Sequence, residues 1–149
     1  MRSTPLDEGQ GNCRIALQII LSRDQKEILV RHAKKCAPSE SCALLFGKDD
    51  SDACVVSEVY LAENAENSPI NFTISNEELL KGYKLAEAKK LDVIGIFHSH
   101  PHSDAAPSST DKRFMQVNPI VWVIFSIKSD ELKAYVLESE IVPVEVKIA

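Results

Sequence analysis

Hydrophobic positions along the chain fall into short runs, and their spacing alternates between the strand period and the helix period. Cys13–Leu21 is apolar and β-branched, as a strand requires. Ser22 and Gln25 then have the spacing of a capping box, which predicts a helix from that point. Ile28, Leu29, His32, Ala33 and Cys36 recur at helical spacing as its buried face, and Pro38 marks its end. Ser41–Gly47 is almost wholly apolar and reads as a central strand buried on both faces. Asp49 to Asp52 reads as a turn, and Ala53–Ala62 as the returning strand of a hairpin. Glu63–Asn71 is polar and predicts an exposed loop. Ser75 and Glu78 repeat the capping-box spacing, opening a helix to about Lys90 with Leu79, Leu80, Tyr83, Ala86 and Leu91 on its apolar side. Val93–Phe97 reads as a strand, His98–Ser109 as a loop and Thr110–Val117 as a short helix. Ile120–Ile127, Leu132–Leu137 and Ile141–Ile148 read as three further strands. This order predicts an α/β domain, a mixed central sheet with helices packed on it, spanning residues 13–149 behind a loose tail at 1–12.

Composition narrows the class without changing that picture. The 149 residues hold one domain, and 44% hydrophobic with 26% charged residues are ordinary values for a globular protein. The longest apolar runs, Ile15–Leu21 and Ile120–Phe125, fall far short of the ~20 residues of a spanning helix. No apolar segment of a secretory signal is seen near the start, so a cytoplasmic location and no membrane contact are expected. A net charge of −5 with no basic stripe argues against nucleic acid. Of four cysteines, Cys13, Cys36, Cys42 and Cys54, none forms a C-x-x-C pair, and free thiols are expected in a reducing compartment. A bridge such as Cys13 with Cys54 stays open.

The candidate chemistry lies in Ile96-Phe97-His98-Ser99-His100-Pro101 and the segment that follows. His98 and His100 are two apart at the end of a strand, so they share a face about 6–7 Å apart. Two imidazoles at that spacing reach one ion at ~2.0–2.1 Å per bond. Pro101 ends the ladder, and the loop can return Asp111 to the same ion. Two His and one carboxylate leave one tetrahedral position open, as catalytic zinc sites do. The residues alone allow other readings. A His pair also occurs on solvated loops, and Ser108 with Asp111 is also a plain capping box. Asp104, four past His100, would suit a cupin, although two capped helices argue against that all-β fold. The P-C-x-x-C of zinc deaminases is missing. His102 reads as a solvated loop residue, Trp122 as core, and His32 with Cys36 as a helix face lacking a third ligand.

The stretch resembles the JAMM motif of the MPN+ metalloproteases: H-x-H followed by Pro, with ten residues between the second His and an Asp, and Ser three before that Asp. Pro38-Ser39-Glu40-Ser41-Cys42-Ala43-Leu44-Leu45-Phe46-Gly47 is similar to the family's P-x-E-x-C-G-L-L-x-G, with Ala43 where Gly is common. Asn71-Phe72-Thr73-Ile74-Ser75 resembles the segment before the family's second helix, and the likeness runs from about Ile15 to Ile148. It implies the MPN/JAMM fold, a mixed, curved central β-sheet flanked by helices and cytidine-deaminase-like. It implies one zinc ion held by His98, His100 and Asp111, with Glu40 as a base acting through water and Ser108 donating to the oxyanion. Ser99 would point away from the ion into the packing behind it, and Phe72 and Thr73 would meet substrate. Within the family the chain is similar to the small prokaryotic members and to the catalytic core of the proteasome-lid deubiquitinase. Only eight residues separate Asp111 from Ile120, and Glu63–Phe72 is short, so both substrate-gripping insertions are minimal. The implied activity is removal of ubiquitin or a ubiquitin-like protein from a Lys amine. An alternative is a peptidase acting at the Gly-Gly tail of small sulfur-carrier proteins. A non-catalytic scaffold is disfavoured, because the His, Asp and Glu residues are retained. Implied partners are ubiquitin-like conjugates, a proteasome or unfoldase, and a second copy of the chain.

Overall fold

The computed structural model describes residues 18–50 and 52–149. In chain order the elements are β1 (Gln18–Leu21), α1 (Arg23–Cys36), β2 (Cys42–Asp50), β3 (Ala53–Ala62), α2 (Asn76–Ala88), β4 (Asp92–His100), α3 (Ser109–Val117), β5 (Val121–Ser126), β6 (Glu131–Leu137) and β7 (Ile141–Ile148). The strands are hydrogen-bonded in the order β1-β3-β2-β4-β5-β6-β7, and β7 returns to β1. The mixed sheet expected from the sequence is therefore closed into a barrel. Its parallel pairs are β1 with β3, β1 with β7, and β4 with β5; the others are antiparallel.

Strand periodicity sorts the apolar residues into two cores. Ala43 and Leu45 of β2, Phe97 of β4 and Val121, Val123 and Phe125 of β5 join Leu29 and Ala33 of α1 in the first. Cys42, Leu44 and Phe46, Ile96 and Trp122 alternate with them, and Ala86 of α2 and Met115 of α3 cover these in the second. A strand with a core on each side cannot afford polar positions, which is why SCALLFG is nearly free of them. α2 lies so close on β2 that a Cβ on Gly82 would come 2.5 Å from Leu44 Cδ1.

Several expectations need correction. The β4 strand runs on through His100, because β5 lies parallel and extends the ladder from Gly95 opposite Val121 to His100 opposite Ser126; the loop starts only at Pro101. Asp49 and Asp50 belong to β2, pairing with Cys54 and Ala53, so the turn is shorter than expected. In α1, Ile28 is exposed, and Val30 packs beside the buried Leu29 and Ala33 instead. In α2, Leu80 and Tyr83 face outward, while Gly82 and Ala86 are buried. The close approach to β2 favours the small residues over the large ones. The tail at 1–12, the start of the strand expected from Cys13, and any bridge made by Cys13 lie outside the described residues. No helix among the described residues is long and apolar enough to cross a membrane.

Candidate metal centre

His98 and His100 close β4 on the same face as Ile96, the face that α3 covers. Asp111 is the third residue of α3, whose cap is Ser108. Both halves of the capping box are made: Ser108 Oγ accepts from Asp111 N at 3.1 Å, and Ser108 N donates to Asp111 Oδ2 at 2.9 Å. The cap thus aims the carboxylate at the two histidines. The intervening loop is pinned from outside. Tyr135 donates its hydroxyl to Ala105 O at 2.6 Å, and Ser126 donates to Ser103 O at 2.7 Å.

His98 Nε2, His100 Nε2 and Asp111 Oδ2 form a triangle with all three sides 3.1 Å. Four ligands at ~2.0–2.1 Å around a tetrahedral ion stand about 3.3 Å apart, so the spacing fits zinc. The donor chemistry fits too. His100 Nδ1 donates to Asp104 O at 2.7 Å, so the neutral ring, once Nε2 has given up its proton, offers the Nε2 lone pair to an ion beside a second imidazole nitrogen and a carboxylate. A cation at the centre would reconcile three such groups. His98, His100 and Asp111 are all buried and are the one group of three or more His, Cys, Asp or Glu among the described residues with ligand atoms this close together. Asp104 contributes its main-chain oxygen, while its carboxylate faces Lys128 at 3.9 Å, so the cupin-like ligand set does not form.

His98 Nδ1 has no hydrogen-bond partner among the described residues. Its ring is held by packing instead: Phe72 stacks on it at 4.7 Å, and Trp122 meets it edge-on at 5.8 Å. Burial pushes the His98 pKa down against the opposing pull of Asp111, favouring the neutral imidazole that a metal requires. Burial also acts to lower the His100 pKa, but hydrogen bonds to Asp111 and the Asp104 carbonyl, with the charges of Asp111 and Glu40, leave it raised. Burial works to raise the Asp111 pKa, and the hydrogen bonds from both histidines outweigh it and hold the carboxyl ionised.

Glu40 lies just before β2, with Oε2 4.0 Å from His100 Nε2 and Oε1 unpartnered among the described residues. It is 3% exposed. Burial pushes its pKa up to about 8, against the lowering charge of His100. The structure therefore gathers Glu40, His98, His100, Ser108 and Asp111 at one place. Ser99 points away from the triad: its Oγ accepts from Ser41 N at 2.9 Å and Ser41 Oγ at 2.8 Å. Phe72 forms a wall of the site, and exposed Thr73 donates its hydroxyl to Glu66. With Ile74, Leu79, Phe114 and Trp122 they line a small apolar cleft of about 150 Å³. His102 is exposed, and Trp122 is core. His32 bonds the carbonyls of Cys42 and Ala62 and lies outside the triad. Ser41 and Asn64 carry hydrogen bonds to this site that sequence reasoning missed, since their partners lie 58 and 24 positions away.

The chain belongs to the prokaryotic homologues of the JAB domain, whose family model matches residues 22–138. It is 39% identical over 109 residues to the desampylase of Pyrococcus furiosus, covering 73% of this chain and 74% of that protein. It is 29% identical over 121 residues to the CysO-cysteine peptidase of Mycobacterium tuberculosis, covering 78% and 81%. It is 29% identical over 133 residues to a probable TtuB-protein conjugate cleaving protease of Thermus thermophilus, covering 87% and 84%. A solution structure of a Desulfitobacterium hafniense protein superposes with a TM-score of 0.81 at 30% identity, covering 89% of this chain and 93% of that one.

Proposed function

We propose that the chain is a zinc-dependent peptidase that hydrolyses the amide bond after the C-terminal glycine of a small ubiquitin-like protein. The observation that carries this reading is the 3.1 Å triangle of His98, His100 and Asp111 with Glu40 beside it, in a family whose matched members are named for peptidase and conjugate-cleaving activities. When bound, zinc supplies Lewis acidity and lowers the pKa of water from 15.7 towards ~7. The remaining roles fall to side chains. Glu40, buried with one free oxygen, takes the proton of the attacking water and returns it to the leaving amine. Asp104 O holds the Nδ1 proton of His100, so that Nε2 is the nitrogen turned to the ion, and Asp111 is kept ionised by its two histidines. The Ser108 Oγ accepts from Asp111 N, which leaves its hydroxyl hydrogen for the developing oxyanion. A single donor of that kind is worth about 3–4 kcal/mol to the transition state.

The cleft beside Phe72 and Thr73 takes the extended tail of the modifier. An isopeptide bond to Lys and a peptide bond to a terminal residue both present a glycine carbonyl and a leaving amine, and the relatives' names include both a conjugate protease and a cysteine peptidase. The test uses zinc-loaded protein and a β-grasp protein ending in Gly-Gly, joined either to a Lys side chain or to a terminal Cys. Release of the free modifier is followed by mass. Release from at least one substrate, abolished in H98A/H100A, is the expected result. Stoichiometric zinc with no release from either would overturn the reading. A scaffold would carry no zinc at all.

A further inference from the structure

The loop between β3 and α2 is tied to Glu40 by main-chain hydrogen bonds on both sides of that residue. Glu40 N donates to Ser68 O at 2.8 Å, and Glu40 O accepts from Asn64 Nδ2 at 3.0 Å. Asn64 is 6% exposed and uses its full hydrogen-bonding capacity. Nδ2 also donates to Asn71 O at 3.0 Å, while Oδ1 accepts from Glu66 N at 3.0 Å and Thr73 N at 3.1 Å. Two carbonyls face the amide nitrogen and two N–H groups face its oxygen, so one orientation of the side chain satisfies the set. Ala65 N closes the same loop on Thr73 O at 2.8 Å. On the other side, Ser99 N donates to Ser41 O at 3.1 Å, and Ser99 Oγ accepts from Ser41 N at 2.9 Å. Residue 40 is thus suspended between the ligand-bearing strand and the loop that carries Phe72 and Thr73.

We propose that Asn64 is a positioning residue for Glu40, fixing the carboxylate against His100 through the main chain of residue 40 and coupling it to the loop at 63–73. This rests on the reading of Glu40 as the base. A residue that merely staples a loop would affect stability and substrate affinity. A residue that places the base would affect turnover at saturation.

Asn64→Asp separates the two roles. The carboxylate still accepts from Glu66 N and Thr73 N, but it has no donor for the carbonyls of Glu40 and Asn71. Expected is a fall in kcat of about 10- to 100-fold, the scale of a ~1 Å misplacement, with KM within about threefold and zinc content unchanged. In the E40Q background the same change should leave the residual rate unaltered, because the group being placed is gone. Asn64→Ser serves as the milder variant if the carboxylate prevents folding. Amide hydrogen exchange gives a readout independent of substrate: both variants should speed exchange at residues 39–41 while leaving 94–98 protected. Unchanged exchange at 39–41, or a loss of rate in the E40Q background as large as in the wild type, would overturn the proposal. An inactive but zinc-loaded wild type would defeat the peptidase reading, and the exchange experiment would still judge the coupling.

Discussion

A carboxyl group buried as deeply as Glu40, with one oxygen unpartnered, is costly to ionise without a counter-charge. Its pKa is raised from 4.5 to about 8 in the folded chain, chiefly by burial. The folded state therefore holds a proton that the unfolded state has released across that window, and stability falls as pH rises. The stability of metal-free wild type relative to metal-free Glu40→Gln should therefore fall between about pH 4.5 and 8. Urea midpoints of both proteins across this range measure the difference, and parallel curves would contradict it. Asp111 acts in a more acid range, while His98 and His100 titrate inside the window with opposite signs, so the difference between the two proteins is what reports Glu40 and its charge on His100. At this scale the ligands were legible because β4 and the α3 cap are local: His98, His100, Ser108 and Asp111 lie within one strand, one loop and one helical turn. Ser41 and Asn64 were not legible. An isolated Ser or Asn carries no sign of a partner 58 or 24 positions distant.

Helix caps show how far local pattern reaches and where tertiary contact takes over. Ser22 with Gln25 and Ser108 with Asp111 form complete boxes. Ser75 and Glu78 have the same spacing, yet only the Ser75 half forms, because the Glu78 carboxylate accepts from Glu63 N at 2.8 Å. The long-range partner tied the loop down at its start and broke the box. Similarly, Leu80 and Tyr83 fit a helical stripe, but the approach of α2 to β2 selected Gly82 and Ala86 as the buried positions. The β2–β3 ladder shifts register between Phe46 and Gly47. There, a Cβ on Gly47 would fall 1.9 Å from the Val55 carbonyl oxygen, which a strand cannot yield without moving. Gly47→Ala should destabilise the fold by about 1–3 kcal/mol, the usual cost of overpacking. Gly82→Ala should cost less, since Leu44 Cδ1 is the movable end of a side chain and alanine gains about 1 kcal/mol of helix propensity. Denaturant midpoints rank the two, and a smaller loss for Gly47→Ala would contradict this account.

The closure of the whole molecule depends on β1 lying parallel between β3 and β7, with Gln18–Leu21 opposite Glu145–Ile148. Each strand was visible as an apolar run, but nothing local records that the first and last described strands meet. The expected mixed sheet was therefore recognisable and its closure was not. Zinc binding to the folded chain alone would raise stability by mass action. Chelation should accordingly lower Tm in the wild type and leave H98A/H100A unmoved. Thiol alkylation should spare turnover, because Cys42 is buried with its pKa pushed up to about 12 and no cysteine among the described residues stands at the triad. In the proposed mechanism three residues hold the ion and Glu40 moves the proton. Zinc content and turnover of Glu40→Gln, measured on one preparation beside the wild type, test it most directly. Retained zinc with at least a ~10²-fold loss of rate is the expected result, the low end of a general base's contribution. Lost zinc in the variant, together with a wild type that cleaves nothing, would make Glu40 a fourth ligand of a structural site and contradict the account.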